Sequence, residues 1–383
     1  MVAMVQTGAS MRAVARAYQV SLCTVQRWVA RAAAARLDRV EWNDRAPIPQ
    51  RSHRTNSATE DFVLRLRREL KETSDLGEYG ARAIHRALIE RHHPLVPSPR
   101  TVGRILERRG AFDGRRRVRR LPPPRGWYLP SVAEHHAELD SFDVVEGLVI
   151  QGGTEVEVLT TVSLHGGLVG AWPGPPVTAK MVVATLIDHW RQVGLPAFAQ
   201  FDNDTRFQGA HQFRDSISRV MRLCLSLGVV PVFAPVNEPA FQAALENLNG
   251  QWQAKVWARF HHDDIPALCE RSDRYVTASR VRSAARIETA PPRHAFPAGW
   301  EFDLQAALHG LLIFLRRTTE RGAVSLLGHT FEVDPHWSHR LVRCEVDLDR
   351  ERLRFYALRR RQPESQPILG ETAYTVPRRR FHE

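Results

Sequence analysis

The sequence predicts a multidomain chain: an all-α N-terminal region of helix-turn-helix type, a central α/β core with a mixed sheet, and a small C-terminal β-barrel. Three observations lead there. Apolar residues recur at helical spacing through the first third, mix strand and helix patterns through the middle, and alternate near the end. Two proline-containing stretches, 113–133 and 281–300, separate these textures and read as linkers. Charge divides the same way. Residues 1–133 hold 26 Lys and Arg against 12 Asp and Glu, whereas residues 134–383 hold 28 against 30, so the whole net charge of +12 originates in the first third. Such a basic block is the footprint of a polyanion partner. The division is 1–50 and 55–112 for two helical units, 113–133 for an Arg/Pro linker, 134–280 for the core, 281–300 for a second linker and 301–383 for the barrel.

The first unit reads as a helix-turn-helix. Ser10 caps a helix carrying Met11, Val14, Ala15 and Tyr18, and Gln19-Val20-Ser21 makes the turn. Val25, Trp28 and Val29 form the buried stripe of the second helix. Ser21 at its start, with Thr24, Gln26 and Arg27 on its outer face, is placed to reach base edges or phosphates of double-stranded DNA. Gln19 stands where such a turn usually has glycine. The second unit has an amphipathic helix over Glu60–Lys71, another from Gly80 to Arg91, and a third that Ser98-Pro99 opens. On that third helix Arg100, Arg104 and Arg108 share one face. Arg115, Arg116, Arg117, Arg119 and Arg120 follow, then three prolines, a stiff basic segment suited to tracking a DNA backbone.

In the core, strands are predicted over Glu134–Val144, Val156–Ser163, Gly167–Trp172, Pro196–Phe201 and Val229–Phe233. Helices are predicted over Val177–Val193, Ala210–Leu227 and Glu238–Phe260. Beyond the second linker, Gly322–Val333, Leu341–Leu348 and Leu353–Leu358 alternate as barrel strands. The apolar runs are too short to span a bilayer, so no membrane partner is expected, and the N-terminus lacks a signal-peptide pattern. The four cysteines are widely scattered, which argues against a zinc knuckle and a disulfide framework and fits a reducing cytoplasm.

The core is locally acidic, with 13 Asp and Glu against 8 Lys and Arg between Glu134 and Phe260. Asp140 sits within a strand, Asp202 closes another, and Glu246 lies on the long helix. Carboxylates in apolar surroundings call for a cation. Mg²⁺ accepts such oxygen ligands, and two such ions about 4 Å apart can clamp both oxygens of a phosphodiester exchange. Asp143 rivals Asp140, because strand positions i and i+3 face opposite sides and only one can enter the site. Asp140 is preferred here.

In order and context these residues resemble the DDE catalytic core of integrase-type insertion-sequence transposases, relatives of retroviral integrase. The resemblance rests on Leu139-Asp140, Phe201-Asp202-Asn203, Phe233-Ala234-Pro235, Pro239, Gln242 and Glu246-Asn247-Leu248-Asn249-Gly250. Gly8–Arg31 and Tyr79–Gly110 are similar to the family's paired helix-turn-helix units. Arg316-Arg317 with Val324–Val333 resembles its β-barrel. The resemblance implies a ribonuclease-H-like core in which Asp140, Asp202 and Glu246 hold two Mg²⁺ or Mn²⁺ ions. It also implies DNA end cleavage followed by 3′-hydroxyl strand transfer into target DNA. A homo-oligomer, at least a dimer, and a bacterial cytoplasmic, nucleoid-associated location are further expectations. The sequence departs from the family in three places: Asp204 replaces the glycine after Asn203, 43 residues separate Asp202 from Glu246, and Gln253 replaces a basic residue, leaving Lys255 as the phosphate contact. The first and third of these departures support an alternative reading, a domesticated and catalytically silent DNA-binding regulator.

Overall fold

The computed structural model describes residues 1–33, 35–43, 55–112, 125–209, 213–236, 238, 241–377 and 380–381. The chain divides into two compact units, Met1–Thr59 and Glu60–Glu383.

In the first unit, helices Val2–Gln6, Met11–Ala17 and Leu22–Ala32 enclose Val14, Ala15 and Val25. Ser10 and Ser21 cap the second and third helices, accepting from Ala13 N at 3.2 Å and Thr24 N at 3.1 Å. These bonds satisfy backbone donors that a helix start leaves open. The turn between them passes through Gln19 at φ 52°, in the left-handed region that favours glycine.

Three further helices, Ser57–Thr73, Ala81–Glu90 and Pro99–Arg108, pack around Val63, Leu66, Ile84, Leu88, Val102 and Ile105. Glu60 is buried at its base and is held by Arg108 and Arg109. The bundle joins the core through basic side chains. Arg259 donates to the carbonyls of Ser74 at 2.6 Å, Lys71 at 2.8 Å and Glu72 at 2.9 Å, which are orphan acceptors around the end of the first helix.

Among the described residues the core is one sheet of nine strands. In chain order they are β1 Leu139–Val149, β2 Glu155–Ser163, β3 Val169–Gly174, β4 Phe198–Phe201, β5 Val230–Phe233, β6 Leu311–Arg317, β9 Leu341–Asp347, β10 Arg352–Ala357 and β11 Ile368–Ala373, while β7 Ala323–Leu326 and β8 His329–Glu332 form a separate hairpin. The spatial order is β11-β10-β9-β6-β5-β4-β1-β2-β3. β4, β5 and β6 run parallel to β1 in sequence of pairing, and antiparallel strands extend the sheet at both ends. One face packs helices Ala179–Val193 and Arg219–Ser226 against Phe142, Phe201, Phe233 and Phe314. The other packs helices Ala243–Trp252 and Ile265–Arg282 against Val145, Val156 and Val158. Among the described residues no helix is long and apolar enough to cross a membrane.

Several expected elements differ. The C-terminal strands do not close as a separate small barrel. β6 pairs with β5 through Val232↔Ile313 and Phe233↔Phe314, so β6, β9, β10 and β11 continue the core sheet. The 281–300 segment is packed on the core rather than extended between domains: Leu195 and His294 bridge each other, and a short helix covers Ala284–Glu288. The long helix expected to Phe260 ends as an α-helix at Trp252 and continues as one π-helical turn, with Ala258 N bonded to Gln253 O at 2.7 Å. The helix expected over Ala210–Leu227 is shorter, Arg219–Ser226, and the first strand begins at Leu139. The Ile265–Arg282 helix has a weak apolar stripe that sequence reading passed over.

Gln19→Gly is expected to stabilise the first unit by up to about 1 kcal/mol, the relief of a left-handed side chain less the greater freedom of an unfolded glycine. Thermal unfolding of the two proteins checks this.

Candidate active site at the carboxyl ends of the parallel strands

Alternation along β1 sends Asp140 and Asp143 to opposite faces of the sheet. Asp140 shares its face with Phe142, beneath the Ala179–Val193 helix. It is fully buried and grips Arg293 through two bonds, 2.9 and 2.6 Å long. Ser163 Oγ at 2.6 Å and Trp190 Nε1 at 3.3 Å donate to the same carboxylate. Burial would raise this acid, but the adjacent guanidinium outweighs it and holds the carboxyl below its ordinary range. Asp140 is therefore a structural anchor, and the preference for it over Asp143 is corrected: its side chain lies on the face away from Asp202. The cation on Asp140 comes from the segment expected to be a linker.

Asp143 takes the other face. β1 and β4 are parallel, in register at Asp140↔Ala199 and Ser141↔Gln200. Continuing this step brings Asp143 level with Asp202, immediately past the end of β4. Asn249 Nδ2 donates to Asp143 Oδ2 at 2.8 Å, and Asn249 in turn accepts from Thr160 Oγ1 at 2.8 Å. Burial, reinforced by the negative charge of Asp202, pushes Asp143 up to about 6. Burial likewise pushes Asp202 above its ordinary value. Glu246 is exposed on the Ala243–Trp252 helix, three residues before Asn249 and so on the same side of that helix. Among the described residues no three His, Cys, Asp or Glu side chains converge closely enough to hold a metal as they stand.

Asp204, next to Asn203, has a local task. It caps the Thr205–Gln208 helix by accepting from Arg206 N at 2.7 Å, and its own N–H donates to Asp202 Oδ1 at 3.0 Å. Arg206 returns a two-point contact to Asp204, at 2.8 and 2.6 Å, and also pairs with Glu157 at 3.0 Å and Glu146 at 2.5 Å. The guanidinium nearest the two aspartates is thus bound to three other carboxylates. What remains at Asp143 and Asp202 is a pair of hard oxygen donors whose proton affinity burial raises, a donor set that fits Mg²⁺ or Mn²⁺.

The nucleic-acid candidates are scattered. Ser21 Oγ is used as a cap and contacts Thr24 Oγ1 at 2.8 Å. Gln26 and Arg27 are exposed on the same helix. Arg100 and Arg104 are exposed, and among the described residues neither has an ion-pair partner, while Arg108 of the same row is committed to Glu60. Arg115, Arg116, Arg117, Arg119 and Arg120 lie outside the described residues. Lys255 is corrected as a phosphate contact: half a turn away from Glu246 on the helix, its Nζ donates to the Gly77 carbonyl at 3.0 Å. Sequence reading missed Arg293 and Arg206. Asn249 stood in the quoted motif, and its spacing of three from Glu246 was the available signal.

Over residues 24–106 the chain matches a family described as Homeodomain-like domain. None of the curated proteins matches the chain. Solved structures similar to it include a chain of the simian T-cell lymphotropic virus intasome in complex with PP2A regulatory subunit B56 gamma, with 13% identity, 69% of this chain and 84% of that chain covered, and a TM-score of 0.34. The BIV integrase catalytic core domain has 17% identity over 37% of this chain and 80% of that chain, with a TM-score of 0.26. The HTLV-2 integrase catalytic core domain in complex with magnesium has 13% identity over 37% and 83%, with a TM-score of 0.27.

Arg293→Met should lower stability by about 3–5 kcal/mol, because it strands a buried charge on Asp140, and adding Asp140→Asn should recover part of that loss. Chemical denaturation of the single and double variants measures it. Asp143 has its own signature. Its folded value of about 6 lies above the ordinary 3.8, so its contribution to stability is full below pH 4 and is lost as pH rises through 6. The loss amounts to at most about 3 kcal/mol. Denaturation midpoints followed between pH 4 and 7 should show this fall, with Mg²⁺ opposing it and Asp143→Asn removing it.

Proposed function

We propose that this chain is a transposase or integrase that cuts DNA ends and joins the freed 3′-hydroxyl to target DNA. One observation carries the reading: Asp143 and Asp202 stand level on neighbouring parallel strands at the carboxyl end of the sheet, and Asn249 ties Asp143 to the helix that bears Glu246. Ligand and substrate sites of open α/β sheets lie at that end. The homeodomain-like match over residues 24–106 supports DNA as the partner.

In this reading Asp143, Asp202 and Glu246 hold two Mg²⁺ or Mn²⁺ ions. When bound, the ions supply Lewis-acid activation and charge neutralisation at a phosphodiester. Asn249 keeps Asp143 turned toward Asp202. The Asp204–Arg206 clamp keeps the residue after β4 from moving, since Asp204 N–H is bonded to Asp202 itself. Both reactions are in-line phosphoryl transfers in which one P–O bond forms as another breaks. Water is the nucleophile at the DNA end, and the released 3′-hydroxyl is the nucleophile at the target. The side chains position and do not attack, which is where most of the rate in such reactions arises. Gln26, Arg27, Arg100, Arg104 and the arginines of 115–120 hold the DNA, and bringing two ends together requires at least a dimer.

A second reading, a DNA-binding regulator without turnover, is favoured by the position of Glu246, which does not converge with the two aspartates. A strand-transfer assay with oligonucleotides from the DNA flanking the coding region separates the two. Wild type should join ends in Mg²⁺, and Asp143→Asn and Glu246→Gln should each lose at least about a hundredfold. Asp140→Asn should lower the melting temperature more than it lowers the rate per folded molecule. Joining by Asp143→Asn at the wild-type rate would overturn the assignment, and absence of joining by wild type would leave the regulator.

A further inference from the structure

A second feature lies at the same end of the sheet, on the opposite face from Asp143. A cleft of about 320 Å³ opens between the residues after Asp202 and the β7–β8 hairpin. Asn203, Gln208, Ser216 and Arg316 line it, with Phe213 and Val236 beside them. Three of these are unusual. Phe213 and Val236 are apolar yet 61% and 63% exposed, so an aromatic ring and an aliphatic side chain stand open to solvent at one cleft. Arg316 is the reverse, a largely enclosed cation. Arg293, Arg343 and Arg206 are each paired with a carboxylate, but among the described residues no carboxylate meets Arg316. It donates to Leu315 O at 2.9 Å, approaches Gln208 Oε1 only at 3.5 Å, and lies 5.2 Å from the Phe314 ring. Burial pushes it down to about 10. A guanidinium in that setting gains from an anion that brings its charge into the cleft.

The cleft is built onto rigid elements. Phe201, Phe233 and Phe314 stand in register on β4, β5 and β6, with adjacent rings 5.9 and 5.1 Å apart. Arg316 lies two residues past this row, about 10 Å from the end of β4 by the spacing of two strands. Asp202 and Asn203 are consecutive, and Asn203 lines the cleft while anchoring to Ala234 O at 2.6 Å. The wall that carries Phe213 is fixed through Asp215, which accepts from His329 at 2.8 Å and Tyr374 at 2.7 Å and donates its N–H to Leu327 O.

We propose that this cleft binds one unpaired nucleotide of a DNA strand, with Arg316 on a phosphate and Phe213 against the base. The ligand must be anionic and must also cover exposed aromatic surface, and a nucleotide does both. The inference rests on the DNA-joining reading for its substrate, but its test is binding and needs no turnover.

The full-length protein is titrated, by fluorescence anisotropy, against a labelled duplex that is blunt or carries a short single-stranded overhang. Wild type should prefer the overhang. Phe213→Ala should cut affinity for the overhang about tenfold and leave the blunt duplex unchanged, while Phe213→Trp should retain the preference. Phe213 is exposed, so these variants fold. Arg316→Gln should lower the salt slope of overhang binding by about one. Competition by a deoxynucleoside monophosphate distinguishes sources: failure to compete assigns the cleft to a strand, and full displacement at micromolar concentration overturns that assignment. Equal overhang binding by wild type and Phe213→Ala also overturns the proposal, whether or not the protein joins DNA. Conversely, loss of the preference in Phe213→Ala upholds the cleft even if wild type performs no joining.

Discussion

A carboxylate buried in a central strand must be matched by a cation, and β1 carries one on each face. The chain meets that demand in two ways. On the face of the Ala179–Val193 helix, Arg293 supplies the charge permanently and Asp140 stays ionised beneath full burial. On the other face Asp143 lies level with Asp202, and Arg206 is held by Asp204, Glu146 and Glu157. Two acids whose proton affinity burial raises remain, and their deficit of positive charge distinguishes them from the Asp140 anchor. The same strand thus holds a finished ion pair and an unfinished one.

The Arg293–Asp140 pair also shapes the path of the chain. Its guanidinium bonds Gly194 O as well as Asp140, so the segment after the Ile265–Arg282 helix is fastened across the core before it reaches β6. β6 then enters the sheet beside β5, and the C-terminal strands share one hydrophobic core with the central ones. That continuity is why residues as distant in sequence as Asn203 and Arg316 come to line one cleft. Basic side chains do comparable work elsewhere: Arg259 and Lys255 fasten the helical bundle to the core through backbone carbonyls, so part of the positive charge serves cohesion rather than a polyanion.

Asp204 and the π-helical turn acquire physical meaning from their surroundings. Asp204 would add repulsion next to Asp202, yet it is neutralised by Arg206 and gives its N–H to Asp202. Arg206 lies only two residues beyond Asp204, so the compensating charge arises from the same short helix. Gln253, seven residues after Glu246, keeps to that residue's side of the helix, while Lys255, half a turn away, meets the Gly77 carbonyl.

Period and composition suffice for the helix-turn-helix caps at Ser10 and Ser21 and for the β1–β5 strand order with its crossing helices. These are local properties, set by which backbone donors a side chain can reach and which face a residue occupies. The choice between Asp140 and Asp143 was not local. Parity alone showed that one of them must point away, and only the β1–β4 register together with Arg293, 153 residues beyond Asp140, showed which. The fate of the C-terminal strands was equally hidden, because alternation specifies a strand and not its neighbour. Pairing and charge matching between distant segments are decided by packing, so the tertiary structure alone showed which aspartate Arg293 holds and that the C-terminal strands extend the sheet.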